Sequence, residues 1–164
     1  MSTDLILLVS IVMGLTAYGL IAKWYLMPVL LSLPQARALV PLLLFHCFRF
    51  IGLAFLIPGV TSQPLDSRFA NPAAYGDLLA ALLAFLAILA LRRGWRTAIP
   101  LVWVFSLEGT LDLLNAVTQG LRYTEDGALG ATFFIPAMVV PALLVTHVMV
   151  FIILLRGDSK KNQA

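Results

Sequence analysis

The chain has 164 residues, 61% of them hydrophobic and 12% charged, with a mean hydropathy of +0.97. A soluble domain of this size sits nearer half apolar and a quarter charged, so this composition excludes an ordinary soluble globule. The net charge of +3 comes from short basic clusters between apolar runs, which argues against a nucleic-acid partner, and one cysteine, Cys47, excludes a disulfide framework or a multi-cysteine metal centre.

Apolar runs of about twenty residues recur along the chain, the pattern of transmembrane helices. The expected fold is therefore all-α, a polytopic integral membrane protein with five transmembrane helices in a single domain over residues 1–157. The first span covers about residues 5–28 and ends on the interfacial group Lys23, Trp24 and Tyr25. Its start, "MSTDLILLVS", lacks the basic region of a cleaved signal peptide and is read as retained. The second span is 38–60. After it, Asn71-Pro72 reads as the N-cap and first position of a third helix over 73–91. The link "RRGWR" leads to a fourth span at 97–119, and "GLRYTEDGALG" leads to a fifth at 132–155. Residues 158–164 read as a polar cytoplasmic tail.

Orientation follows from the basic residues. With the N-terminus outside, Lys23, Arg37, Arg92, Arg93, Arg96, Arg156, Lys160 and Lys161 fall on the cytoplasmic side, and only Arg68 and Arg122 fall outside. The positive-inside rule then gives N-out, C-in, in a plasma membrane of the bacterial inner-membrane kind.

The chemistry lies in polar residues within the spans. A helical rise of about 1.5 Å per residue puts His46 and His147, the only two histidines, at nearly one depth. Arg49 follows His46 by one turn. Glu108, Asp112 and Asn115 share a face of the fourth helix, and Asp77 lies further out on the third. An intramembrane charge costs about 2.5–3.5 kcal/mol on insertion scales, so such groups are expected to face protein, water or ligand. They thicken toward the outer side, which predicts a polar pocket of Arg49, Glu108, Asp112, Asn115 and Asp77 open to the outer face, with Asn115 and Tyr75 at a hydrophilic mouth. Asp112 is the expected partner of Arg49. The first helix, without a mid-membrane charge, is expected to serve as scaffold.

The leading expectation is that His46 and His147 hold a cofactor or metal, either a b-type haem with two axial imidazoles or a transition metal such as zinc or iron. A proton-coupled small-solute or ion transporter or channel is the first alternative. An accessory subunit packing against a membrane-protein partner or a second copy is the next, with the Ala-rich "LLAALLAFLAILA" as packing face. An enzyme acting on a lipid or isoprenoid with His46 and Glu108 as acid and base is a further reading, and no catalytic residue is assigned. No HExxH, GxSxG or P-loop pattern is present.

Overall fold

The computed structural model describes residues 2–156; the expected tail at 158–164, with Lys160 and Lys161, lies outside the described residues. Every described element is helical, and five helices are long and apolar enough to cross a membrane. They are α1 (Thr3–Ser32), α2 (Gln35–Leu56), α3 (Ser67–Arg92), α4 (Ala98–Tyr123) and α5 (Gly130–Arg156).

Several boundaries differ from those expected, and three of them have a local reason. α1 does not stop at Pro28 but continues to Ser32, because a π turn at Ala22–Leu26 absorbs the register change around a residue that cannot donate a hydrogen bond. α2 ends at Leu56 instead of residue 60; Pro58 and Gly59 follow, the glycine at φ +84° turning the chain. α3 starts at Ser67, six residues before the expected start, so Pro72 sits inside it and Asn71 is not its cap. Asp66 is the cap: its carboxylate accepts from the Arg68 backbone N–H at 2.8 Å and from the Arg68 guanidinium at 2.6 Å. Those bonds hold the Asp66 carboxyl down at about 2.

α3 is the central helix. Its inward stripe repeats at helical spacing and is almost wholly alanine, with Ala70, Ala73, Ala74, Ala80, Ala84 and Ala87 buried and Asp77 the one charge among them. Small side chains let α2 and α4 approach closely on either side. The alanine face is therefore occupied within the chain. α5 packs against α2 and α4, and α1 packs chiefly on α5, where Gly14 meets Pro141. α1 is mostly exposed, so it is a peripheral helix and not a scaffold for the bundle.

The lower half of α2 is a 3-10 helix over Cys47–Leu56, long for that conformation. Three residues per turn put positions i and i+3 in line, and Arg49, Gly52 and Phe55 accordingly form one buried file. Phe48, Phe50, Ile51 and Leu56 point outward.

At the end of the bundle holding the α1 N-terminus, the α2–α3 and α4–α5 loops are tied by Ser62 N–H to Ala128 O (3.0 Å) and Ala131 N–H to Val60 O (2.9 Å). Gly130, at φ +53°, permits this: a Cβ there would lie 2.6 Å from the Ser62 nitrogen and 2.9 Å from Val60 O. Gly130→Ala is expected to part the two loops, read as faster proteolysis within residues 57–66 and 124–130 while the helices stay protected. Unchanged cleavage would mean that the loops are held elsewhere.

Candidate functional site

Arg49 is the hub of the site. The 3-10 file of α2 carries it into the centre of the bundle, where it is 1% exposed. Its Nε donates to Asp77 Oδ1 of α3 at 2.7 Å, its Nη2 to Asp112 Oδ2 of α4 at 2.6 Å, and its Nη1 to the Gly109 carbonyl at 3.1 Å. Planar guanidinium geometry is what lets one side chain serve three acceptors on two helices. Asp112 is a partner of Arg49 as expected. Asp77 is one too and does not merely decorate an early turn of its helix.

Three glycines give these side chains room. A Cβ on Gly52 would overlap the Asp77 carboxyl, and one on Gly76 would overlap the Asp112 carboxyl. A Cβ on Gly109 would lie 2.7 Å from Arg49 Nη1 and 2.8 Å from His147 Nε2. None of the three was singled out from sequence. Their signal is that each sits within a helix, where glycine costs about 1 kcal/mol relative to alanine and so calls for a packing reason, and that Gly76 and Gly109 also adjoin Asp77 and Glu108. Glycine is common in membrane helices, which weakens that signal.

The histidines sit beside this centre and touch each other, with ring centroids 4.2 Å apart and planes tilted by 50°. Phe105 closes one side, stacked on His147 at 5.2 Å and edge-on to His46 at 5.0 Å. His46 Nε2 is 3.0 Å from Thr146 Oγ1, whose hydroxyl also reaches the Ala142 and Leu143 carbonyls. If that hydroxyl gives its one proton to a helix carbonyl, as mid-helix threonines do, His46 carries its own proton on Nε2. His46 Nδ1 and both ring nitrogens of His147 are buried without a hydrogen-bond partner among the described residues.

This arrangement does not suit the expected haem. An iron bound by both imidazoles would stand about 2 Å from each ligating nitrogen, with the porphyrin plane between the rings. Rings already in contact leave no such slot. Nor does any group of three or more His, Cys, Asp or Glu among the described residues have the spacing to hold a metal ion. Cys47 is buried with its thiol toward the Leu43 carbonyl, 3.4 Å away.

Glu108 is half-buried at the same centre, near Arg49 and Asp77, and its Oε2 is buried without a hydrogen-bond partner among the described residues. Asn115 does not join the site. It lies exposed on the outer surface of α4, where its Oδ1 accepts from Gln119, because it is rotated away from Asp112 toward the face of Leu111 and Leu114. Tyr75 is 59% exposed on the outside of α3 and forms no part of a mouth.

A cavity of about 320 Å³ begins between the α1 N-terminus and the α4–α5 loop and runs inward as far as Asp77. Phe55, Phe69, Leu113 and Ile135 form much of its wall, Asp77 its floor, and Asp4 and Glu125 stand toward its opening. On the other side of Arg49 and the histidines the interior is filled by Leu39, Leu43, Val102, Phe105 and Val150. The cavity is thus one-sided, and its volume is at the lower end of that of small-molecule sites.

The family described as Domain of unknown function (DUF8737) matches residues 6–155, which takes in Arg49, Asp77, Glu108, Asp112 and both histidines, and the chain belongs to that family. No curated protein and no solved structure matches it.

Proposed function

We propose that this is an integral membrane protein, N-terminus outside and C-terminus cytoplasmic, that binds a small molecule in the cavity ending on Asp77, entered from the outer face. The single observation that carries this reading is the cavity itself: a largely apolar space of about 320 Å³ that stops at a buried, charged Arg49–Asp77 pair. Apolar walls with a few convergent polar groups are what a ligand site needs. The orientation rests on Arg37, Arg92, Arg93, Arg96 and Arg156 lying toward the end of the bundle remote from the cavity. A plasma membrane is the proposed location.

The dense apolar packing beyond the histidines favours a binding site over a continuous pore. The touching imidazoles favour it over a cofactor held between His46 and His147.

The test is thiol accessibility in right-side-out vesicles. In a Cys47→Ser background, Val117→Cys puts a thiol on the cavity wall and Ser106→Cys puts one in the packed interior. A membrane-impermeant maleimide added outside is expected to label the first and not the second. Labelling of Val117→Cys only from the inner side, or not at all, removes the proposal. Labelling of both would replace it with a through-path.

A further inference from the structure

The cavity wall carries charge of one sign only. Among the described residues, Asp4, Asp77 and Glu125 line it, and no lysine, arginine or histidine does. Asp77 is 7% exposed; its Oδ1 is taken by Arg49, while its Oδ2 accepts no hydrogen bond among the described residues. Behind it, the single guanidinium of Arg49 faces Asp77, Asp112 and Glu108, so with all three ionised this centre carries +1 − 3 = −2. Excess negative charge in a low-dielectric interior is offset either by protons on the carboxylates or by a bound cation. Phe55, Phe69 and Phe133 add aromatic rings to the same wall, and ring faces attract cations.

We propose that the occupant of this cavity is a small lipophilic cation: an apolar body lying along the phenylalanines and aliphatic residues, with one ammonium-like group directed at Asp77. This rests on the cavity being a binding site, and it adds the class of ligand. The two carboxylates toward the opening, Asp4 and Glu125, are exposed and draw the cation in; Asp77 holds it. A carboxylate- or phosphate-bearing ligand of the same size meets three like charges and no countercharge on the wall.

A matched pair of probes separates charge from shape. Benzyltrimethylammonium and neopentylbenzene have the same skeleton, one with nitrogen and a positive charge where the other has carbon. Each is added during maleimide labelling of the full-length Cys47→Ser, Val117→Cys protein. The cation is expected to slow labelling at a concentration at least about tenfold lower than its neutral isostere, a ratio equivalent to ~1.4 kcal/mol. The difference should vanish in Asp77→Asn. Because Asp77 also holds Arg49, the exposed double variant Asp4→Asn, Glu125→Gln provides a second reading that leaves the Arg49 centre intact. It should weaken protection by the cation and not by the isostere.

Equal protection by the two probes overturns the cation assignment while leaving the cavity as a binding site. Labelling that neither probe slows overturns the assignment too. A Val117→Cys thiol that is never labelled from outside removes the underlying cavity reading instead.

Discussion

Arg49→Leu is expected to be the most damaging single substitution in the chain. It leaves Asp77 and Asp112, with side chains only 9% and 10% exposed, facing each other's charge without a cation between them. Removing one partner of a buried ion pair costs about 3–5 kcal/mol, most of it the penalty of the charge left behind. The expected result is a large fall in melting temperature in mild detergent, with aggregation on size-exclusion chromatography. Arg49→Lys should fall between the parent and Arg49→Leu. An ammonium is a single point and cannot meet Asp77, Asp112 and the Gly109 carbonyl along the three directions that Nε, Nη2 and Nη1 now take. The triple variant Arg49→Leu, Asp77→Asn, Asp112→Asn removes the orphaned charges along with their partner, and it should recover much of the loss. If Arg49→Leu melts with the parent, the guanidinium is not what holds α2, α3 and α4 together.

The second large effect is expected from the smallest change, Gly76→Ala. In an ordinary helix interior this replacement gains up to about 1 kcal/mol. Here the new methyl group would fall on the Asp112 carboxyl, which Arg49 Nη2 fixes at 2.6 Å. Either Asp112 leaves Arg49 or α3 moves away from α4, and overpacking of this kind costs about 1–3 kcal/mol. Gly19→Ala is the matched control. It lies in α1 with nothing within 4 Å of the added atom, so it should be neutral or mildly stabilising. Opposite signs for one chemical change at two helical glycines would place the effect in the contact with Asp112. Equal melting temperatures would show that the Asp112 side chain yields without cost.

Much of this was legible in the sequence, and what was not has identifiable causes. The five helices long and apolar enough to cross a membrane are visible because such apolar runs have few other uses. Their ends are less visible where proline intervenes: Pro28 and Pro72 suggest boundaries but sit inside α1 and α3, one beside a π turn and the other in the second turn after the Asp66 cap. That Arg49 and Asp112, and His46 and His147, lie at matching levels follows from depth alone. The role of Asp77 does not, because a uniform rise of about 1.5 Å per residue misplaces side chains in a 3-10 segment that rises about 2 Å. That segment also turns Arg49 directly beneath His46. Asn115 shows the opposite limit: a shared face read from i+3 spacing is too broad to separate a buried position from an exposed one. The histidine contact could not be read either, since equal depth says nothing of lateral distance.

In the membrane setting proposed above, the pairing of Arg49 with Asp77 across a short connection also bears on how the protein is inserted. α2 leaves the ribosome before any carboxylate that will neutralise its guanidinium. Alone in lipid it would bear a penalty of about 2.5–3.5 kcal/mol. Relief comes with α3, which brings Asp77 to Arg49 after only the loop of residues 57–66. Neither helix is a good solitary passenger through the translocon's lateral gate, whereas the two together form a hairpin with its central charges matched. Inserted as proposed, the chain is expected to release α2 and α3 as a unit, with α4 completing the cluster when Asp112 arrives.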